Sequence, residues 1–92
     1  MKIVILGRRW HYDGNAARVP GDRDGDCDPP NVKNKTIRVR RSLRGERRLA
    51  IAIHEMLHAA GWHIDEGFVE KFAEDAARAL WKDGYRRPQE DR

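Results

Sequence analysis

The chain has 92 residues, of which 39% are hydrophobic and 37% are charged, and its formal net charge at pH 7 is +4. From this length we expect one small domain over residues 1–92. No apolar stretch approaches the roughly 20 residues that a membrane-spanning helix requires, so we do not expect a membrane protein. The single cysteine, Cys27, cannot form an intramolecular disulfide, which is typical of a reducing, cytoplasmic (intracellular) setting.

The N-terminal segment, residues 1–12, is predicted to be a strand. Residues 2–6 are mostly apolar, which is typical of a buried strand, and Trp10 and Tyr12 continue the alternation further along the chain. Because the apolar run is only four residues long and two arginines follow it closely, a signal peptide is the poorer interpretation.

The region 13–35 is rich in glycine, aspartate, asparagine and proline, and is predicted to be mainly loop. Its acidic stretch at 21–26 is superficially like a calcium loop, but it lacks the closing glutamate at the required spacing, so calcium binding is not favoured. Residues 36–40 then alternate apolar and charged side chains, which predicts a strand with one buried face.

Two helices are predicted to follow this strand. The first covers residues 43–61, with Ser42 as its candidate N-cap and Gly61 at its end. It is apolar almost all round, so we expect it to be buried. The second covers residues 65–83 and carries an apolar stripe at helical spacing, and the tail at 86–92 is expected to fray. The predicted fold is therefore α+β, with a short sheet of two to three strands packed on the two helices.

The most informative segment is His54-Glu55-Met56-Leu57-His58, which lies within the first predicted helix. His54 and His58 are one turn apart on the same helix face, where both ring nitrogens can reach one Zn²⁺ at about 2.0–2.1 Å. Glu55, about 100° around the helix, can reach a metal-bound water and act as general base. The apolar flanks place these side chains in a buried setting, where a histidine must be hydrogen-bonded or bound to metal.

Four side chains beyond Gly61 are candidates for a third zinc ligand: His63, Asp65, Glu66 and Glu70. A metzincin pattern fails on spacing, because the position that should be histidine is Ile64. Glu66 and Glu70 lie one turn apart on the second helix, the arrangement of thermolysin-like gluzincins. There the first carboxylate binds the metal and the second orients a ligating histidine. We favour Glu66 as the ligand, with Glu70 either as the orienting partner or as the competing ligand, and with Asp65 and His63 as further alternatives.

The stretch 25–87 resembles the small HExxH metallopeptidase-like proteins of phage and bacterial genomes. Its strand, HExxH helix and following ligand-bearing helix are similar to the minimal zincin cores of the ImmA/IrrE and SprT-like families. In the ImmA/IrrE pattern a ligand glutamate precedes a Phe-Ala pair by six residues, as Glu66 precedes Phe72-Ala73 here. The link between His58 and the second helix is shorter than in those families. The resemblance implies a gluzincin-like zinc metallopeptidase.

The predicted function is hydrolysis of a peptide or protein substrate by zinc-bound water, with Glu55 as general base. If the strand at 36–40 is the edge of the sheet, an extended substrate can pair with it. The sequence identifies no substrate-binding residue, and Trp62, His63 and Tyr85 are equal candidates for holding the oxyanion.

Two alternative functions compete with the peptidase prediction. In a non-catalytic domain the zinc only stabilises the fold, but such a site has no need of Glu55. In a nucleic-acid-associated module the binding surface would be the basic cluster at 38–48, which contains Arg38, Arg40, Arg41, Arg44, Arg47 and Arg48. A solvated strand and helix surface is the favoured interpretation of that cluster, because no nucleic-acid fold signature accompanies it.

Overall fold

The computed structural model describes residues 1–88. Its elements in chain order are strands β1 (Lys2–Ile5), β2 (Arg8–Ala16), β3 (Gly25–Cys27) and β4 (Thr36–Arg40), followed by helices α1 (Gly45–Ala60) and α2 (Glu66–Lys82). The predicted α+β class is confirmed. The sheet has four strands, whereas two or three were expected. Residues 89–92 of the predicted tail lie outside the described residues. Within residues 1–88, neither helix combines the length and apolar character needed to cross a membrane.

The N-terminal segment is a hairpin, so the prediction of one strand over residues 1–12 is wrong. Strands β1 and β2 pair antiparallel, with Ile5 opposite Arg8. Between them, Leu6 and Gly7 have φ angles of 49° and 76°. Two consecutive positive φ values are typical of the tight two-residue turn that matches the twist of a hairpin. The chain therefore reverses at Gly7.

The sheet order is β1-β2-β4-β3, with β4 parallel to β2 and antiparallel to β3. Strand β4 is thus an interior strand, so residues 36–40 do not meet the condition for pairing with an extended substrate. The edge strand next to β4 is β3, which lies in the region predicted to be loop. Arg38 on β4 holds it in place through ion pairs to Asp26 at 2.9 Å and to Asp28 at 2.8 Å.

The core lies between the sheet and α1, where Trp10, Ile37 and Ala59 pack together. Helix α2 packs on the other side of α1 through three fully buried small or β-branched residues at four-residue spacing: Val69, Ala73 and Ala77. Helix α1 is only half-buried, contrary to expectation, and its fully buried residues are Arg48, Ala50, Glu55 and Ala59. The site-bearing helix is therefore accessible on one flank.

The helix boundaries differ from the predicted ones by up to two residues. The N-cap of α1 is Arg44, which makes no side-chain cap bond, so Ser42 is not the cap. The N-cap of α2 is Asp65, whose carboxylate accepts a hydrogen bond of 3.0 Å from the backbone N–H of Phe68. Because only five residues separate the helices, the first turn of α2 lies beside the last turns of α1.

Candidate metal centre

His54 and His58 of α1 direct their imidazoles at a common point. Their Nε2 atoms are 3.2 Å apart, and 17% of each side chain is exposed. The spacing in sequence accounts for this, because residues i and i+4 lie one turn apart on the same helix face. Two ring nitrogens that face each other so closely need either a proton between them or a common cation.

Glu66, in the first turn of α2, closes the third side of this site. Its Oε1 is 2.9 Å from Nε2 of His54, and its Oε2 is 2.9 Å from Nε2 of His58. The cap at Asp65 starts α2 at this point, so the short turn returns the Glu66 carboxylate to α1. Glu66 is the third ligand that the sequence favours. Among residues 1–88, the convergent group of metal-ligand atoms consists of His54, His58 and Glu66.

The donor set fits a zinc ion. Four-coordinate zinc, with Zn–N distances of about 2.0–2.1 Å, places two nitrogen ligands about 3.3 Å apart, and the two Nε2 atoms are 3.2 Å apart. Two imidazoles and one carboxylate are the protein ligands of several catalytic zinc sites, in which a fourth position stays open. The Glu66 side chain is 64% exposed, so this side of the centre faces solvent.

Glu55 lies beside the three candidate ligands and underneath β3. It is 7% exposed, and the backbone of Gly25 passes directly over it. A Cβ built on Gly25 would lie 3.0 Å from Oε2 of Glu55 and 2.6 Å from Cγ2 of Ile51. Only glycine leaves room for this approach, so the backbone of β3 covers the carboxylate.

Burial raises the pKa of Glu55 from 4.5 to about 7, and the negative charges of Asp26 and Glu66 act in the same direction. The positive charge of Arg23 opposes them. A cation held by the two histidines would also lower this pKa. A carboxyl group that titrates near neutrality can both accept and return a proton at physiological pH.

The candidate ligands and Glu55 line an open cleft of about 480 Å³. Trp62 borders it, with its ring centroid 6.3 Å from that of His58. Cys27 also borders it, and burial raises the pKa of this thiol to about 12. The thiol therefore stays protonated at neutral pH and forms a neutral part of the wall.

Four residues of this cleft were not predicted from the sequence: Arg23, Gly25, Asp26 and Cys27. They belong to the region predicted to be loop, because glycine and aspartate are uncommon in strands. One signal could have found them. The aspartates at positions 22, 24, 26 and 28 alternate with period two, as the arginines at 38 and 40 do, and such alternation is typical of paired strands.

The other residues proposed from the sequence lie outside the convergent group. Asp65 caps α2. Glu70 and His63 are both exposed on the surface, and no described ion pair joins Glu70 to either imidazole. Tyr85, an oxyanion candidate, lines a different cavity. Of the three oxyanion candidates, Trp62 is the one that borders the cleft.

Most of the arginine cluster is engaged within the fold. Arg38 pairs with Asp26 and Asp28, and Arg48 donates hydrogen bonds to the carbonyl oxygens of Gly14 and Arg40. Two further ion pairs bind the acidic segment to the cluster: Arg40 to Asp22 at 2.8 Å, and Arg47 to Asp24 at 2.9 Å. These pairs cancel much of the charge that binding to a phosphate backbone requires.

Comparisons with protein-family models, curated proteins and solved structures give no match for this chain.

Proposed function

We propose that this chain is a zinc-dependent metallopeptidase with a minimal zincin-like fold. The observation that carries the proposal is the convergence of one carboxylate on two imidazoles. Glu66 lies 2.9 Å from Nε2 of both His54 and His58. This donor set, next to a buried glutamate that is not a ligand, is the combination that HExxH hydrolases use. A zinc ion held there supplies a Lewis acid that polarises a carbonyl and lowers the pKa of water.

Glu55 is the proton carrier of the proposed reaction. It takes a proton from the attacking water and returns it to the nitrogen of the departing peptide fragment. The position of its carboxyl group, fixed under Gly25 and beside the three ligands, supports this role. Burial raises its pKa, which strengthens the carboxylate as a proton acceptor and opposes the lowering effect of a bound cation.

The open edge of β3 offers a binding path for an extended peptide. Arg40 donates its backbone N–H to the carbonyl of Asp24, and Asp28 donates to that of Thr36. In an antiparallel ladder such pairs alternate with residues whose backbone groups point away. The N–H and C=O groups of Gly25 and Cys27 therefore face the open side, where a substrate strand can pair with them. Since Gly25 lies over Glu55, such a strand would pass across the cleft.

The alternatives have less support from the described residues. A zinc ion that only stabilised the fold would not require a carboxyl group as buried as that of Glu55, which is costly to keep without a partner. A nucleic-acid module would require an unpaired basic surface, whereas Arg38, Arg40 and Arg47 are paired with aspartates.

The deciding experiment measures zinc content and peptide hydrolysis together on the full chain. The zinc-loaded protein is incubated with a library of internally quenched peptides, alongside Glu55→Gln and a control, Glu46→Gln, from the first turn of the same helix. We expect Glu55→Gln to keep one zinc per chain and to lose about 10²–10⁴-fold in rate, because it lacks the general base. The control should resemble the parent.

Hydrolysis by Glu55→Gln at the parental rate would overturn the mechanism. Loss of zinc from Glu55→Gln, with Glu46→Gln unaffected, would instead make Glu55 a ligand and remove the base from the proposal.

A further inference from the structure

A second cavity, of about 620 Å³, also borders α1. On α1 it is lined by Gly45, Arg48, Leu49, Ala52 and Met56, whereas the metal cleft is lined by His54, Glu55 and His58. No residue lines both cavities.

The walls of this second cavity are aromatic and apolar. Tyr12 of β2 forms one wall, and Trp81 and Tyr85 form another at the end of α2. Tyr85 is 60% exposed, so the cavity mouth carries an accessible ring. The guanidinium of Arg86 stacks on Trp81, 3.4 Å from the ring centroid. A cavity of this size with aromatic walls is typical of small-molecule sites, which commonly have volumes of about 300–1,000 Å³.

The charged side chains at this cavity are mostly positive. Arg48, Arg86 and Arg87 line it, together with a single carboxylate, Asp13. Burial raises the pKa of Tyr12, and Arg48 and Arg87 both lie close enough to oppose this rise. No described carboxylate lies within ion-pair distance of Arg87, which is half-buried at the cavity wall. A guanidinium in this setting is well placed to hold a phosphate or carboxylate group.

We propose that this cavity binds a small molecule in which a planar aromatic ring carries a phosphate or carboxylate group. The ring stacks between Tyr12 and the Trp81–Tyr85 wall, and the anionic group is held by Arg87 beside Arg48. This is a binding site separate from the metal cleft. It stands whether or not the chain is a peptidase, because it shares no lining residue with that cleft.

The test uses 1-naphthyl phosphate on the full-length ¹⁵N-labelled protein. The chain has three tryptophans, and each occupies a different environment: Trp81 lines the proposed site, Trp62 borders the metal cleft and Trp10 lies in the core. Saturable movement of the Trp81 indole signal, with that of Trp62 unchanged, is the expected result. Movement of Trp62 alone, or no movement of Trp81 in the millimolar range, would overturn the proposal.

Three further probes separate the chemical requirements of the site. 1-Naphthol lacks the anion and inorganic phosphate lacks the ring, so each should bind at least about tenfold more weakly than 1-naphthyl phosphate. 1-Naphthoate distinguishes a carboxylate from a phosphate as the preferred anion. Equal binding of 1-naphthol and 1-naphthyl phosphate would reject the role of the arginines.

Matched variants locate the anion contact. Arg87→Gln should weaken binding about tenfold, whereas Arg78→Gln, on the exposed surface of α2 where it pairs with Asp75, should not. Tyr85→Ala should weaken binding through the loss of stacking. Arg87 is half-buried and Tyr85 is exposed, so neither substitution should disturb the core. The spectra of the variants show whether the fold is kept. Unchanged affinity in both Arg87→Gln and Tyr85→Ala would place the probe elsewhere.

Discussion

Gly25 of the edge strand lies directly over the carboxylate of Glu55, so closely that a methyl group at position 25 would be 3.0 Å from Oε2 of Glu55. Strand β3 and helix α1 therefore together fix the position of the Glu55 carboxylate. The strand limits where the carboxylate can go, while the helix places it one residue after His54. If Glu55 is the general base, Gly25 is a positioning residue for it.

Gly25→Ala should consequently reduce peptide hydrolysis while leaving zinc bound. The added Cβ would meet Ile51 at 2.6 Å and Glu55 at 3.0 Å, so one of these side chains must move. Overpacking of this kind typically costs about 1–3 kcal/mol of stability. Urea unfolding and zinc-loaded hydrolysis measure the two effects. Activity of Gly25→Ala equal to that of the parent would contradict the positioning role.

The stability of the metal-free protein should fall as the pH rises from about 4.5 to 7, and Glu55 is the reason. Its pKa is about 7 in the folded chain, against 4.5 without burial. The folded state thus keeps a proton that the unfolded state has lost, and folding becomes less favourable as the pH rises through this window. The contribution is fully present below pH 4.5 and is lost above pH 7, and it amounts to about 3 kcal/mol.

Glu55→Gln provides the measurement for this pH dependence. Denaturant unfolding of the metal-free parent and of the variant is compared between pH 4.5 and pH 8, and the difference between them isolates this carboxyl group. The variant should lose the downward slope and become relatively more stable at pH 8. If the two curves stay parallel across this range, the Glu55 carboxyl group is not held in the protonated form by burial.

The local parts of the fold could be predicted from the sequence. Helical periodicity identified both helices, and period-two alternation identified the strand at 36–40, because both signals depend on neighbours a few residues away. The hairpin was missed because Leu6 adopts a positive φ, which an apolar residue seldom does. Strand β3 was missed because aspartate disfavours strands, and its stability comes from Arg38, ten or more residues further along the chain.

One part of the candidate site could likewise be predicted from local sequence, and the other part could not. The spacing of His54 and His58 follows from helix geometry, so the pair could be recognised from five residues. The third candidate ligand depends on how the turn after Gly61 returns the chain, and on the cap at Asp65 that starts α2. That information is tertiary, so the sequence could only rank Glu66 above its competitors.

Arg38 should be worth more to stability than its exposed neighbours. It binds Asp26 and Asp28 together, and 27% of its side chain is exposed. Arg38→Gln would leave two partly buried carboxylates without their guanidinium, which typically costs about 1–3 kcal/mol. The pair of Arg47 with Asp24 is more open, with 59% of the arginine side chain exposed, so Arg47→Gln should cost less than about 1 kcal/mol. Thermal and urea unfolding of the two variants would reveal the order, and equal losses would contradict it.

Zinc binding should distinguish Glu66 from Glu70, although both glutamates lie on α2 one turn apart. Glu66 reaches both imidazoles at 2.9 Å, whereas Glu70 is exposed and lies outside the convergent group. Glu66→Gln removes a charged ligand but keeps its size. It should therefore weaken zinc affinity by more than about 100-fold, beyond the 10–100-fold typical of a residue that only orients a ligand.

Glu70→Gln is the matched control, since it makes the same substitution on the same helix. Competition with a chromophoric chelator measures the zinc affinity of both variants, and His58→Ala sets the value expected when a histidine ligand is lost. Because Glu70 makes no described ion pair with either imidazole, its variant should stay within a few-fold of the parent, which is less than an orienting role for Glu70 would produce. The reverse order, with zinc lost from Glu70→Gln and kept by Glu66→Gln, would mean that α2 presents a different turn to the histidines when zinc binds. Equal affinities in all three variants and the parent would mean that His54, His58 and Glu66 do not hold the metal.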